Sequence, residues 1–206
     1  VAEVLEWDQE VMMPEGALPV RTQQSATIAA LGHDILTCDK MNELLVSIEK
    51  EELDYDQAAN VREIQRNYKR HKKVPNELVH ELQETRIRGV ESWKAARKKN
   101  DFGLFLPHLR KVFALSGKVA ECIDPNRHPY EVLLESYEQD LSIEEIKSHL
   151  NTIKEHFVPL IARIKDQGID DSLLAKDVAI EKQIEFNSFI ARAIGYDFTR
   201  GRLDVS

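Results

Sequence analysis

The chain has 206 residues, of which 42% are hydrophobic and 31% are charged, and its formal net charge is −8. Eight glycines and seven prolines are too few for a collagen or a linker-rich disordered chain. The acidic excess repels phosphate backbones and anionic lipids, so we expect no nucleic-acid partner and no membrane partner. Cys38 and Cys122 stand outside any paired motif, which favours a reducing compartment, and we expect a cytoplasmic protein.

Apolar residues recur with helical spacing along most of the chain. This periodicity predicts helices at about 18–36, 39–50, 54–72, 75–100, 102–122, 129–138, 142–167 and 177–195. Asp54 or Asp56 is expected to cap the third helix, and Ser142 with Glu145 predicts a capping box for the seventh. Gly195 is placed to end the last helix.

The helix predicted at 142–167 carries a regular apolar stripe. Its members are separated alternately by three and four residues, which makes a heptad pattern and predicts lengthwise packing on a partner. We call this set the heptad stripe, and it consists of Ile143, Ile146, Leu150, Ile153, Phe157, Leu160 and Ile164. Because no repeat or linker interrupts the chain, we expect one all-α unit over 1–206, a multi-helix array with long antiparallel helices.

The two ends of the chain carry separate signals. Residues 201–206 read as an arginine-bearing turn that enters a strand, because Leu203 and Val205 alternate with Asp204. A lone strand needs a partner to be stable. Since position 1 is also Val rather than Met, we expect an incomplete fragment of a longer chain.

Two basic runs, Lys69–Lys73 and Arg97–Lys99, allow two interpretations. They could form a small phosphate-binding patch, or they could offset the dipoles of two helix C-termini by about 0.3–1 kcal/mol each. No aromatic residues interleave with them as a stacking platform would require. The dipole interpretation is therefore favoured.

Candidates for metal binding and nucleophilic catalysis are weak. The chain has no G-x-S-x-G elbow and no H-E-x-x-H pair, and His149 and His156 lie two helical turns apart, too far to share one zinc. Glu77, His80 and Glu84 form a single E-x-x-H row, whereas a di-metal bundle needs two such elements. A solvated row of side chains is the simpler interpretation. The residues alone therefore indicate only a helical domain.

Five short strings occur in a fixed order from about residue 7 to the end. They are Trp7–Glu10 with Met12–Pro14 and Gly16, Ala59–Ile64 with Tyr68, Asn100–Phe102 with Phe105 and Pro107–Leu109, His128–Tyr130 with Leu133–Leu134 and Tyr137–Glu138, and Gly195–Phe198 with Arg200–Ser206. In order and spacing they resemble the carboxypeptidase Taq family of zinc metallocarboxypeptidases. Val11 and Glu15 depart from the expected pattern within one loop.

The resemblance implies a long, mostly helical enzyme with a deep groove. Zinc is held there by H-E-x-x-H and a more distant glutamate, and the motif glutamate is the general base on zinc-bound water. These elements are expected beyond Ser206, so no catalytic residue and no metal ligand is assigned here, and the chain alone should be inactive. The chain would form the N-terminal wall or lid of the groove in a cytoplasmic, homodimeric hydrolase that removes C-terminal amino acids from peptides.

Trp7, Asp8 and Arg202 are candidate residues of the substrate cleft. The planar fork of an arginine suits a peptide carboxylate, and Arg200 shares this possibility. Competing interpretations make Trp7 a core anchor, Asp8 a helix or loop cap, and the arginines holders of a turn. The alternative for the whole chain is a helical scaffold or interaction module without enzymatic activity that binds another helix through the heptad stripe.

Overall fold

The computed structural model describes residues 1–168 and 172–205, apart from the side chain of Glu15. Within those residues the chain is mostly helical and contains no strand. The helices are α1 (Ala2–Val11), α2 (Leu18–Thr37), α3 (Asp39–Ile48), α4 (Tyr55–His71), α5 (Asn76–Lys99), α6 (Phe102–Ile123), α7 (Pro129–Leu134), α8 (Ile143–Asp166) and α9 (Ile180–Ala193). Short 3-10 turns lie at Glu15–Ala17 and Ser172–Ala175. The predicted all-α fold class is confirmed.

The helices predicted from periodicity correspond to α2 through α9, and most boundaries agree within a few residues. The sequence pattern does not predict α1, which begins at Ala2 and has Val1 as an N-cap residue that makes no side-chain capping bond. The helix predicted at 129–138 is longer than α7, which ends at Leu134. The residues that follow form turns, in which the Tyr137 and Glu138 amides donate hydrogen bonds to the Leu134 carbonyl.

Local side-chain signals set the ends of several helices. Asp54 accepts a hydrogen bond from the Gln57 amide (2.8 Å), and the Gln57 side chain accepts one from the Asp54 amide (3.1 Å). Ser142 and Glu145 form the same reciprocal arrangement at the start of α8. The predicted capping box at Ser142 and the predicted cap at Asp54, which also forms a capping box, therefore satisfy backbone groups that the first helical turn leaves unpaired. Beyond α9, Gly195 adopts a φ of +89°, a conformation that strains other residues.

Contacts along the chain group its residues into two compact units, Val1–Asp140 and Leu141–Ser206. We call them unit 1 and unit 2. The sequence predicts one all-helical unit over 1–206, and a single unit in solution stays a prediction.

Unit 1 is organised around the long antiparallel pair of α5 and α6. Near their connection, the Ser92 hydroxyl donates a hydrogen bond to the Leu104 carbonyl (2.7 Å). Further from it, Lys111 forms an ion pair with Glu81 (2.9 Å). Later residues of α6 thus meet earlier residues of α5, as an antiparallel pair requires. Helix α2 packs along α5, and α7 packs against α6.

The main apolar cluster of unit 1 lies where α6 ends and α7 begins to cover it. Val74, Ala120, Ile123 and Val132 form this cluster, and both Ala120 and Val132 are 0% exposed. Burying an aliphatic side chain of this size stabilises a fold by roughly 1.5–3 kcal/mol. The buried side chain of Val132 therefore anchors the short helix α7 in this cluster.

Unit 2 contains α8, α9 and the segment 196–205, and no residue of either helix is buried. The rings of Tyr196 and Phe198 pack edge to face with centroids 4.9 Å apart, and the Arg192 guanidinium lies 4.9 Å from the Phe198 ring centre. The strand predicted to begin near Leu203 is absent, because residues 201–205 have no paired strand in the part of unit 2 that the structure describes.

The heptad stripe of α8 is largely uncovered. Leu150 is 59% exposed, Ile153 51% and Phe157 56%, whereas Ile143 and Ile146 are half-buried. The regular spacing predicts a partner for this stripe, and the described residues of unit 2 leave most of it uncovered. In the described residues, no helix is long and apolar enough for a membrane span.

Replacing Val132 with alanine should lower the free energy of unfolding of the chain by about 2–3 kcal/mol, because two buried carbons are lost and a cavity remains. Val20, which is 59% exposed on α2, provides the matched control. Val20→Ala should change the free energy by less than about 0.5 kcal/mol. Urea unfolding followed by circular dichroism measures both, and equal effects would contradict the assignment of Val132 to the core.

Candidate functional site

Asp8 lies on α1 and forms an ion pair with Arg21 of α2. The Arg21 side chain is 10% exposed, and its guanidinium nitrogens donate to three acceptors, the Asp8 carboxylate, the Leu5 carbonyl and the Gln24 side chain. A buried guanidinium needs such partners, because removing a charge from water is costly unless it is paired. Asp8 therefore fixes α1 to α2 through a largely buried arginine.

The surroundings of Asp8 and Trp7 differ from the structural roles considered for them. The Asp8 carboxylate binds Arg21 instead of capping a helix, although the Asp8 carbonyl does accept bonds from the Met12 and Met13 amides. Trp7 is 42% exposed, so its ring is not a core anchor in the described chain. A cleft role for Trp7 and Asp8 stays a prediction.

Arg202 belongs to unit 2, where it pairs with a residue two positions further along the chain. Its guanidinium donates to both oxygens of Asp204, at 2.8 and 2.9 Å from Nε, and this hydrogen bonding raises the pKa of Arg202. The Tyr196 hydroxyl donates to the Arg202 carbonyl (3.3 Å), and a Cβ at Gly201 would clash with that hydroxyl. The arrangement fits an arginine that holds a turn, and a cleft role for Arg202 stays a prediction.

A cluster of arginines in unit 1 shares one carboxylate. The Glu135 carboxylate forms ion pairs with Arg66 (3.2 Å), Arg127 (3.0 Å) and Arg70 (3.7 Å). Arg66 also binds Asp140 at 2.7 Å, and this hydrogen bond lowers the pKa of the Asp140 carboxyl. The cluster ties α4 to the turn that follows α7.

The interpretation favoured from the sequence is that the basic run at 69–73 offsets the dipole of α4, and the sequence pattern predicts no role for Arg66. Arg70 does more than offset a dipole, because its guanidinium also donates to the Val132 carbonyl and to the Ser136 hydroxyl. A usable signal was the spacing of Arg66 and Arg70, since residues four apart lie on one face of a helix.

The described residues do not provide a metal site. Across 1–168 and 172–205, no three His, Cys, Asp or Glu side chains are placed to hold one ion. Glu84 of the E-x-x-H row binds Arg88 instead (2.8 Å), one turn further along α5. The di-metal interpretation of Glu77 and His80 therefore has no support in these parts of the chain.

Comparison with known proteins gives the chain a family. The model of the carboxypeptidase Taq (M32) metallopeptidase family matches residues 1–206. The chain belongs to the carboxypeptidase Taq family. The resemblance carried by the five strings is confirmed, and membership of a metallopeptidase family implies a metal cofactor.

Curated relatives in the carboxypeptidase Taq family are much longer than this chain. Thermostable carboxypeptidase 1 of Thermus thermophilus is 32% identical over 96% of the chain, and the match covers 42% of that relative. Carboxypeptidase 1 of Bacillus subtilis is 27% identical over 98% of the chain and is covered to 41%. The chain therefore spans about two fifths of the length of these relatives.

Solved structures of carboxypeptidases in this group share the backbone of the chain. The crystal structure of BsuCP superposes on 98% of the chain with a TM-score of 0.89 at 26% identity, and 42% of that protein is covered. Metallocarboxypeptidase 1 of Trypanosoma cruzi matches the whole chain with a TM-score of 0.73 at 28% identity, again over 42% of its own length. These matches agree with the helical fold described above.

Replacing Asp8 with asparagine should destabilise the chain by about 1–2 kcal/mol, because it keeps the shape but leaves the Arg21 charge without its carboxylate. Asp39→Asn is the matched control, since Asp39 is 99% exposed and its pairing with Lys72 spans 3.7 Å. The control should cost less than about 0.5 kcal/mol. Urea unfolding gives both values, and a smaller loss for Asp8→Asn than for the control would contradict the anchoring role.

Proposed function

We propose that the chain is the N-terminal, non-catalytic helical part of a zinc-dependent metallocarboxypeptidase that removes C-terminal amino acids from peptides. The proposal is supported by membership of the carboxypeptidase Taq family over residues 1–206. It is also supported by the names of the curated relatives, which are carboxypeptidases, and by the 42% of their length that the chain spans.

The exposed surface of the chain is the observation that carries this proposal. The chain exposes 16,110 Å². A compact monomer of this mass exposes about 9,800 Å², and two separate compact pieces cut at Asp140 would expose roughly 12,000 Å² together. The excess is thousands of Å², which is the size of a surface that further polypeptide covers in a complete protein.

Part of the exposed area is apolar, and α8 and α9 contribute to it. Besides the heptad stripe of α8, Phe186 and Phe189 of α9 are 61% and 62% exposed. Contiguous apolar patches larger than a few hundred Å² are rare on soluble monomers and mark interaction surfaces. In this proposal the remaining part of the enzyme packs on these helices.

Zinc and its ligands belong to that remaining part. The described residues do not fit a metal site, so no catalytic step is assigned to them. The contribution of the chain is instead to form a rigid helical wall or roof of the groove. Such a roof admits a chain end, rejects internal loops and excludes water, which strengthens electrostatic interactions within a cleft. Trp7, Asp8 and Arg202 remain the residues proposed to face it.

The proposal extends to the setting of the enzyme. The complete protein acts on peptides in the cytoplasm as a homodimer, and neither nucleic acid nor a membrane is its partner. The net charge of −8 supports the last point, because it repels both kinds of polyanionic surface. The pairing of two copies is supported only by the family resemblance.

An interaction module without enzymatic activity is the second candidate function. The observation that favours it is the exposure of the heptad stripe, which could receive a helix from another protein as readily as one from the same chain. The two candidates differ in activity, because only the first places a peptidase centre on the same polypeptide.

Activity of the complete reading frame tests the proposal. The protein translated from the full reading frame that encodes these residues, purified with zinc, should release the C-terminal amino acid from an N-blocked dipeptide. The same dipeptide with an amidated C-terminus should not be cleaved, which controls for other peptidases. Amino-acid release is followed by chromatography.

The 206-residue chain alone, with zinc added, should release nothing in the same assay. Release by the chain alone would contradict its non-catalytic role. A folded product of the full reading frame that binds zinc and cleaves neither dipeptide would overturn the peptidase proposal and favour the interaction module.

A further inference from the structure

Unit 1 contains a cavity of about 790 Å³ between α2, α4, α5 and α6. Its volume lies in the range of sites that take small molecules, which run from about 300 to 1,000 Å³. His33 of α2 and Arg86 of α5 are among the lining residues, and Leu133 and Glu135 contribute from the region of α7.

The lining of the cavity is strongly basic although the chain is acidic. Among the described residues, two carboxylates line it, Asp124 and Glu135, against six cationic side chains, which leaves a net charge of +4. The cationic residues are Arg66, Lys69, Arg70, Lys73, Arg86 and Arg127. In a chain with a net charge of −8, this is a local reversal of sign that attracts anions.

Nearby carboxylates neutralise only part of this charge. Glu135 is shared by three arginines, and Asp140 and Glu131 pair with two of them, Arg66 (2.7 Å) and Arg127 (3.9 Å). Burial lowers the pKa of Arg70, and repulsion from Arg127 and Arg66 lowers it further against the attraction of Glu135. The cations of the cavity thus repel one another, and an incoming anion would relieve that repulsion.

Three polar groups of the lining have no protein partner among the described residues. Lys69 and Arg86 are exposed, and their side chains make no hydrogen bond or ion pair there, so both charges are available to a ligand. His33 is 8% exposed, and its buried Nδ1 also has no hydrogen-bond partner there. Buried polar atoms are normally satisfied by protein, water or ligand, so an unpaired one beside a cavity indicates a missing partner.

Part of the wall is apolar. Leu36 of α2, Val79 and Leu82 of α5 and Val119 of α6 line the cavity, beside neutral polar residues such as Asn67 and Gln83. Sites for small organic ligands combine such apolar walls with a few polar groups that fix orientation. The combination here suits a ligand that has both an apolar body and a concentrated negative charge.

We propose that this cavity binds a phosphate monoester of small-molecule size, with its phosphate at Arg86 and Lys69 and its apolar body against Leu36, Val79 and Leu82. A phosphate monoester carries a charge of about −1.5 to −2 at pH 7, which offsets more of the local charge than a carboxylate does. Arginine and lysine also match phosphate oxygens in hydrogen bonding. The proposal stands apart from the peptidase function.

Calorimetric titration of the 206-residue chain with phenyl phosphate tests the assignment. Phenyl phosphate should bind with one site per chain. Inorganic phosphate, phenol and benzoate should each bind at least about fivefold more weakly. Inorganic phosphate lacks the apolar body, phenol lacks the charge, and benzoate lacks the second negative charge. Absence of binding by phenyl phosphate would overturn the proposal. Equal binding of benzoate would overturn its phosphate specificity.

Substitutions locate the binding site. Arg86→Gln and Lys69→Gln should each weaken phenyl phosphate binding by about tenfold, the size expected for one charge-assisted hydrogen bond. Arg88→Gln is the matched control on the same helix, since Arg88 pairs with Glu84 and does not line the cavity. It should leave binding unchanged. Circular dichroism confirms that each variant is folded, and equal weakening by all three would show that only the general charge matters.

Discussion

An amphipathic helix is stable only when its apolar stripe is covered, and this constraint governs how the chain can be understood. Helix α8 carries seven apolar residues in heptad register, yet no residue of α8 is buried in the described chain. Helix α9 likewise has no buried residue among those described. Unit 2 therefore has the sequence of a packed helical layer without the layer that packs on it. The chain spans 42% of the length of one curated relative, and in the proposed function further polypeptide of the complete enzyme supplies that layer.

Unit 1 is built differently. Its long helices α5 and α6 lie antiparallel, and the cluster around Val132 closes one end of the pair. Ion pairs then fix the shorter elements. The largely buried Arg21 holds α1, and Glu135, which several arginines share, holds the turn after α7. The same crowding of arginines leaves a basic cavity among the helices, so one set of side chains both holds the fold and creates a place for an anion.

Local signals were readable from the sequence, and contacts across the chain were not. The capping boxes at Asp54 and Ser142 and the periodicity of α2 through α9 depend on neighbours within a turn or two of helix. Helix α1 has no side-chain cap, and the sequence pattern does not predict it. The pairing of Asp8 with Arg21 and the sharing of Glu135 join residues far apart in sequence, and no local pattern encodes them. The family followed from short strings rather than from any physical pattern.

Hydrogen exchange of the α8 amides tests the central claim most directly. The rates should be measured in the 206-residue chain and in the product of the full reading frame, with the α6 amides as the internal reference. Covering the heptad stripe should slow exchange in α8 by at least about tenfold, because local opening then exposes packed apolar surface, while α6 should change little. Equal exchange of α8 in both proteins would contradict the account, since the stripe would then need no further polypeptide to cover it.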